Sequence, residues 1–182
     1  NEERTIGKVL EKVNDVKIIG TEKEVIIVDD GSTDATASEI KKSLPAGKQG
    51  ISKIKNIKFI QHEHNMGKGS AVRTGIEAAI GDYMIIQDAD LEYDTLDIPK
   101  LFSYVHSKKD VVYGTRINRL PHLGQEEKTF RFLTHYLGNR FLSLVTSVLY
   151  GQWITDMETC YKLFPRDALK NIRLRSRRFD FE

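Results

Sequence analysis

Three carboxylates crowd the run Gln87-Asp88-Ala89-Asp90-Leu91-Glu92, just after the apolar stretch Tyr83-Met84-Ile85-Ile86. In extended backbone, residues two apart point the same way, so the oxygens of Asp88 and Asp90 can converge, with Glu92 two positions further on. Three carboxylates gathered without a cation repel, and at least one is driven toward its neutral form. A divalent cation removes that problem. Mg²⁺ or Mn²⁺ takes few protein carboxylates and completes its shell with waters and substrate phosphates. Asp88, Asp90 and Glu92 are therefore read as a metal site, ahead of the turn chemistry that Asp also suits.

Other polar groups follow apolar runs in the same way. Val25-Ile26-Ile27-Val28 stops at Asp29-Asp30-Gly31-Ser32, and Val111-Val112-Tyr113 stops at Gly114-Thr115-Arg116. In an open α/β sheet, ligands bind beyond the carboxyl ends of the strands, so carboxylates and a guanidinium are expected on one rim. Gly67-Lys68-Gly69 can offer backbone N–H groups and the Lys68 ammonium to a phosphate at a helix N-terminus. It is equally a glycine-rich entry to a helix. No G-x-G-x-x-G follows any strand. The phosphate loop G-x-x-x-x-G-K-[ST] fails because His62 stands where its first glycine belongs. His62-Glu63-His64 lacks the spacing of a zinc helix and reads as solvated loop.

The elements that must hold these groups alternate along the chain. Ile6, Val9, Leu10 and Val13 recur at helical spacing and predict a helix over 2–14. The 25–28 run predicts a strand buried on both faces, followed by a helix of about ten residues capped by Thr33 or Asp34. Residues 45–56 are aperiodic and read as a surface loop. Ile57-Lys58-Phe59-Ile60 predicts a strand, Ala71 to Ile80 a helix, 83–86 a strand, 95–106 a helix and 111–113 a strand. This order implies a doubly wound, Rossmann-like α/β fold with right-handed crossovers. The opening helix has no strand before it, as in a chain that lacks its first strand.

Composition narrows the function. With 28 Lys+Arg against 26 Asp+Glu the net charge is +2, which gives no support for a nucleic-acid binder working by bulk charge. The single Cys160 cannot form an internal disulfide or a thiolate cluster, which fits a reducing compartment. No run of 18 apolar residues spans a bilayer, and no secretory signal is visible. The 182 residues suit one domain, 1–182. Both ends are expected to be cut, since Asn1 is not an initiator Met and Glu182 follows directly on a patterned segment.

The motifs taken together resemble the family-2 glycosyltransferases of GT-A fold, and among them the polyprenyl- or dolichyl-phosphate hexosyltransferases. The matching stretches are Asn1-Glu2-Glu3, VIIVDDGSTD (25–34), NMGKGSAVRTGI (65–76), DYMIIQDADLEYD (82–94), VVYGTR (111–116), TDMETCYKLF (155–164) and RRFDFE (177–182). The resemblance implies an inverting transfer of a hexose from a nucleotide-diphosphate sugar, GDP-mannose or UDP-glucose, to a lipid phosphate. It implies that Glu2, Val28 and Asp30 hold base and ribose, and that Asp88, Ala89, Asp90 and Glu92 form the metal and diphosphate site. It implies that Arg116 lies near the diphosphate and acceptor phosphate. Where close relatives read D-x-x-[ST]-G-[FY]-[RK], this chain has Asp156, Thr159, Tyr161 and Lys162, with Cys160 in place of the glycine. That departure weakens the acceptor assignment more than the donor assignment.

The reaction assigns work to these groups. Negative charge grows on the leaving diphosphate, where a cation at Asp88/Asp90 and the Arg116 guanidinium stabilise it. A phosphate acceptor needs no strong base. A hydroxyl acceptor does, and Asp156 is then the candidate, unless it caps the turn after Trp153-Ile154. Residues 129–150 are apolar and aromatic with Arg131, His135 and Arg140 interspersed. With the resemblance, they read as a pair of amphipathic helices broken at Gly138 and lying on a membrane, with Arg131 on acceptor phosphate; the competing reading is a core helix. The expected setting is the cytoplasmic face of a membrane, peripherally bound. Alternatives are a family-2 transferase with a glycan acceptor, a silent nucleotide-sugar-binding domain, and a sugar nucleotidyltransferase.

Overall fold

A computed structural model of the protein describes residues 1–44, 56–116, 130–169, 172 and 174–176. The loop expected over 45–56 lies outside the described residues, except that Asn56 opens a strand. The described residues divide into two compact units, one of Asn1–Val112 with the described part of Leu163–Phe181, the other within Tyr113–Lys162.

The first unit opens with helix α1, Ile6–Asp15, then strand β1, Glu24–Asp29, and helix α2, Thr36–Ser43. Strand β2, Asn56–Gln61, helix α3, Lys68–Ala78, strand β3, Tyr83–Ile85, and helix α4, Asp97–Ser103, follow. β1 and β2 run parallel, with Glu24 opposite Asn56 and Asp29 opposite Gln61. Ile6, Leu10, Ile27 and Ile40 form the core, with Val25, Ile57, Phe59 and Ala89 packed against it. Sequence period explains this: the α1 apolar residues share one helical face and lie over the sheet.

Several expected boundaries shift. Residues 2–5 precede α1 instead of belonging to it, because Glu2 O accepts the Thr5 and Ile6 N–H groups as a turn. Ala35 occupies the N-cap position of α2, yet the Asp34 carboxylate still accepts the Thr36 N–H at 3.0 Å. Of the 25–28 run only Ile27 is fully buried, so β1 is half covered instead of sealed on both faces. Lys23 closes α1: its ammonium donates to the carbonyls of Val13, Asn14 and Val16, the orphan acceptors of a helix end.

Strands β4, Val112–Tyr113, and β5, Lys162–Pro165, complete a three-stranded sheet of order β3-β5-β4. β5 runs antiparallel to β3, with Tyr83 opposite Pro165 and Ile85 opposite Leu163. The second unit is dominated by helix α5, Phe130–Tyr150. The expected break at Gly138 does not occur. The helix runs through, because an interior glycine costs only about 1 kcal/mol relative to alanine.

Candidate active site

The end of β1 is a folded turn held by its own acids. Asp29 is buried; its carboxylate accepts the Ser32 N–H at 3.1 Å and the Gln61 amide at 3.0 Å. Asp30 reaches the loop between β2 and α3. Its Oδ1 contacts His62 Nδ1 at 2.6 Å and accepts the Met66 N–H at 3.0 Å, while Oδ2 accepts the Gly67 N–H at 2.7 Å. Burial pushes the Asp30 carboxyl up, but the hydrogen bonds from His62, Met66 and Gly67 outweigh it and leave it below the usual range. Gly31 makes the close approach feasible. It sits at φ +69°, and a Cβ there would lie 2.5 Å from the His64 carbonyl carbon. His62 is therefore not a solvated loop residue: its other ring nitrogen is 2.9 Å from the Thr74 hydroxyl, so it links Asp30 to α3.

Past β3 the chain turns at the Asp-x-Asp sequence. Ala89 packs against the core, which anchors the turn between two carboxylates that remain partly or fully exposed. Asp88 meets the Lys68 ammonium at 3.1 Å. Asp90 Oδ1 accepts the Glu92 N–H at 3.0 Å, across Leu91 at φ +67°, a conformation rare for a non-glycine residue. Glu92 points to solvent. The expected convergence of three acids does not form: among the described residues no group of three His, Cys, Asp or Glu is placed to hold a metal. The reason is local. Residues 89–90 are turn, not extended strand, so the two-residue repeat of side-chain direction does not apply.

Lys68 thus has a carboxylate neighbour, and the Met66 and Gly67 N–H groups are directed at Asp30. Glu2 accepts the Thr5 hydroxyl at 2.6 Å, and its backbone N–H donates to Thr36. Val28 lies in β1, and Gly75 of α3 covers its side chain closely enough that a Cβ would rest 3.6 Å from Val28 Cγ2. Glu2, Val28, Asp30, Lys68, Asp88, Ala89, Asp90 and Glu92 all belong to the first unit.

Arg116 and Asp156 belong to the second unit, where they form one knot. Asp156 Oδ2 accepts the Arg116 backbone N–H and Nε–H, both at 2.9 Å. Oδ1 accepts Arg116 Nη2 at 3.0 Å and Asn139 Nδ2 at 2.7 Å. Burial raises the Asp156 carboxyl, and the hydrogen bonds from Arg116 and Asn139, with the guanidinium's charge, more than reverse this. The carboxylate is wholly buried, with four donors on its two oxygens, and it has no face from which to take an acceptor's proton. Nor does it cap the turn after Trp153: Ser147 does, accepting the Ile154 N–H at 2.9 Å. The Arg131 side chain lies outside the described residues, as do residues 177–182.

Sequence reasoning missed Asn139, Ser143 and Ser147. They recur every four residues inside the apolar 129–150 stretch, and that polar helical stripe was the signal available. Cys160 is buried. Next to it, Gly114 lies so close to Tyr161 that a Cβ would sit 3.0 Å from the tyrosine's own Cβ.

A parallel β1–β2 pair, helices on it, and acidic turns after β1 and β3 define an α/β domain of the GT-A kind. Residues 1–173 match Glycosyl transferase family 2, and the chain belongs to that family. It is 31% identical over 193 residues to the UDP-N-acetylglucosamine–dolichyl-phosphate N-acetylglucosaminyltransferase of Methanococcus voltae, covering 99% of this chain and 72% of the relative. It is 28% identical over 176 residues to the dodecaprenyl-phosphate galacturonate synthase of Rhizobium johnstonii, covering 96% and 48%. The dolichyl-phosphate beta-glucosyltransferase of Dictyostelium discoideum is 30% identical over 151 residues, covering 82% and 44%. The chain therefore spans about half the length of two of these relatives and under three quarters of the third.

Proposed function

We propose that this chain carries the catalytic domain of a transferase that moves a sugar from a nucleotide diphosphate to a polyprenyl or dolichyl phosphate. One observation carries the reading. The relatives are named for three different sugars, yet each name contains a polyprenyl- or dolichyl-type phosphate. The shared feature supports the acceptor, and the variety leaves the sugar open between GDP-mannose, UDP-glucose and other donors.

The chemistry agrees with a phosphate acceptor. An oxygen of the lipid phosphate attacks the anomeric carbon as its bond to the β-phosphate oxygen breaks. The bonding pair leaves with the nucleoside diphosphate, and inversion results. That oxygen is already ionised at neutral pH, so the reaction needs no strong base, which suits a domain whose Asp156 is fully engaged with Arg116 and Asn139. Arg116 offers a partly exposed guanidinium to phosphate charge, whether on the diphosphate or the acceptor.

Asp88 and Asp90 fit a divalent cation in one particular way. Their hard oxygen donors are too few for an all-protein cage, but Mg²⁺ or Mn²⁺ commonly takes one or two carboxylates and completes its shell from substrate phosphates. Bound there, the ion would supply charge neutralisation for the leaving diphosphate. Lys68, 3.1 Å from Asp88, would add a positive charge beside the phosphates.

Helix α5 supports contact with lipid. Leu137, Phe141, Leu144, Val148 and Leu149 are exposed, with Trp153 just beyond. Among the described residues no helix is long and apolar enough to cross a membrane, so the reading is a helix lying along the surface. The test is a donor screen on the chain with polyprenyl phosphate in detergent, with and without Mn²⁺. Formation of a glycosyl phospholipid is expected. Transfer only to soluble glycans, or none with any donor, would overturn the reading.

A further inference from the structure

Helix α5 is amphipathic in reverse. Asn139, Ser143 and Ser147 are buried, while the large apolar residues between them are exposed. A buried polar stripe is tolerated only when its groups are paired. Here they are. Asn139 Oδ1 accepts the Ser143 hydroxyl at 3.1 Å, and Ser143 Oγ accepts the Met157 N–H at 3.0 Å. Ser147 donates to the Ser143 carbonyl at 2.7 Å and accepts the Ile154 N–H. The stripe ties the helix to the 154–157 turn, and its first member touches the Asp156 carboxylate.

From this geometry we infer that Asn139 is a positioning residue: it fixes the Asp156 carboxylate, and through it the plane of the Arg116 guanidinium. A guanidinium held by two parallel N–H···O bonds must lie in the plane of its carboxylate. That plane is free to rotate about the Asp156 side chain unless something outside the pair locks it. The Arg116 backbone N–H holds Oδ2 and Asn139 Nδ2 holds Oδ1, so each oxygen has an anchor beyond the guanidinium. The Arg116 side chain is 46% exposed and its partner's is 0% exposed, so the cation is presented to ligand while aimed from behind by α5. Asn139 touches no reacting atom; it acts through Asp156.

The consequence for turnover rests on the reading of the chain as a phosphate-handling transferase, but the consequence for Arg116 does not. The test separates them. The Arg116 Nε–H, assigned by its loss in Arg116→Lys, is expected as a sharp, slowly exchanging cross-peak in the ¹⁵N spectrum of the chain. Asn139→Leu should broaden or abolish that peak with the backbone amide spectrum still dispersed, whereas Ser143→Ala, which leaves the Asn139–Asp156 bond in place, should largely keep it. Sugar transfer by Asn139→Leu should fall roughly 10- to 100-fold in kcat with little change in the donor KM, the pattern of a lost transition-state contact. If the leucine variant does not fold, Asn139→Ser is read instead. It is too short to reach Asp156 and should lose the same peak. A peak and kcat unchanged from wild type in the folded variant would overturn the inference. A wild-type chain with the protected peak but no transfer to polyprenyl phosphate would instead remove the proposed reaction and leave the positioning standing.

Discussion

The acids after β3 and the acid after α5 are the same chemical groups put to opposite uses. Asp156 is sealed from water with four donors around it, three of them on the side chains of Arg116 and Asn139, which come from different segments. Asp88 and Asp90 lie beside solvent, with Lys68 at 3.1 Å and the Glu92 N–H at 3.0 Å as their hydrogen-bond donors. A carboxylate with every lone pair engaged stabilises the fold and orients a neighbour. A carboxylate left half in water can exchange its partners for a ligand. The difference teaches which acids to expect in chemistry and which in architecture, and it assigns them oppositely to what residue type alone suggests for Asp156.

The comparison breaks most sharply by mutation. Asp90→Asn should lower transfer about 10²–10³-fold, or roughly 2.7–4 kcal/mol, as for loss of a group stabilising developing charge. The urea midpoint should barely move, because a surface change of this kind is worth within about 0.5 kcal/mol. Full turnover at limiting Mn²⁺ would return Asp90 to turn chemistry. Asp156→Ala should do the reverse in kind: it strands the Asn139 amide and the Arg116 N–H, at about 1–3 kcal/mol for each unsatisfied group. Urea denaturation reads this, and a loss under ~1 kcal/mol would show that the knot carries little.

Gly31→Ala comes next, as a probe of the Asp30 turn. It places a methyl 2.5 Å from the His64 carbonyl carbon at a left-handed φ, so roughly 1–3 kcal/mol of overpacking is expected. Calorimetry with free nucleoside diphosphates should show weakened affinity too, if that turn holds the nucleoside. Phe141→Asp with Leu144→Asp should release the chain from anionic vesicles, since each apolar side chain placed in lipid is worth about 1.5–3 kcal/mol. Equal sedimentation of variant and wild type would mean that the face meets something else.

The smallest expected effect is a pH dependence. The Asp156 carboxyl is held below its ordinary range, so its stabilisation is complete above the unfolded value of about 3.9 and is lost as pH falls through the folded one. The stability gap between wild type and Asp156→Asn should therefore be constant at neutral pH and close only below about pH 4. A gap that closes between pH 5 and 7 would show that the Asp156 carboxylate is not the group that carries it.

By itself, the sequence determined the alternation of elements. Apolar runs at 25–28, 57–60 and 83–86 hold the strands β1, β2 and β3, and periodic runs became α1, α3 and α4, because burial of one face is a local pattern that any fold of this chain must satisfy. It also determined the family, since the motif order along 1–173 needs no coordinates. Tertiary structure alone decided what each polar residue does. Asp30 and Asp156 look alike in sequence to Asp88, and only the fold brings the 62–67 loop to the first and helix α5 to the second. Whether an acid is engaged or left to water depends on donors 30 to 40 residues away along the chain, as with Asp30–His62 and Asp156–Arg116. No local pattern encodes such distances. The reversed amphipathicity of α5 shows the same limit: its period was legible, but which face would be buried depended on a carboxylate in another segment that needed the polar stripe.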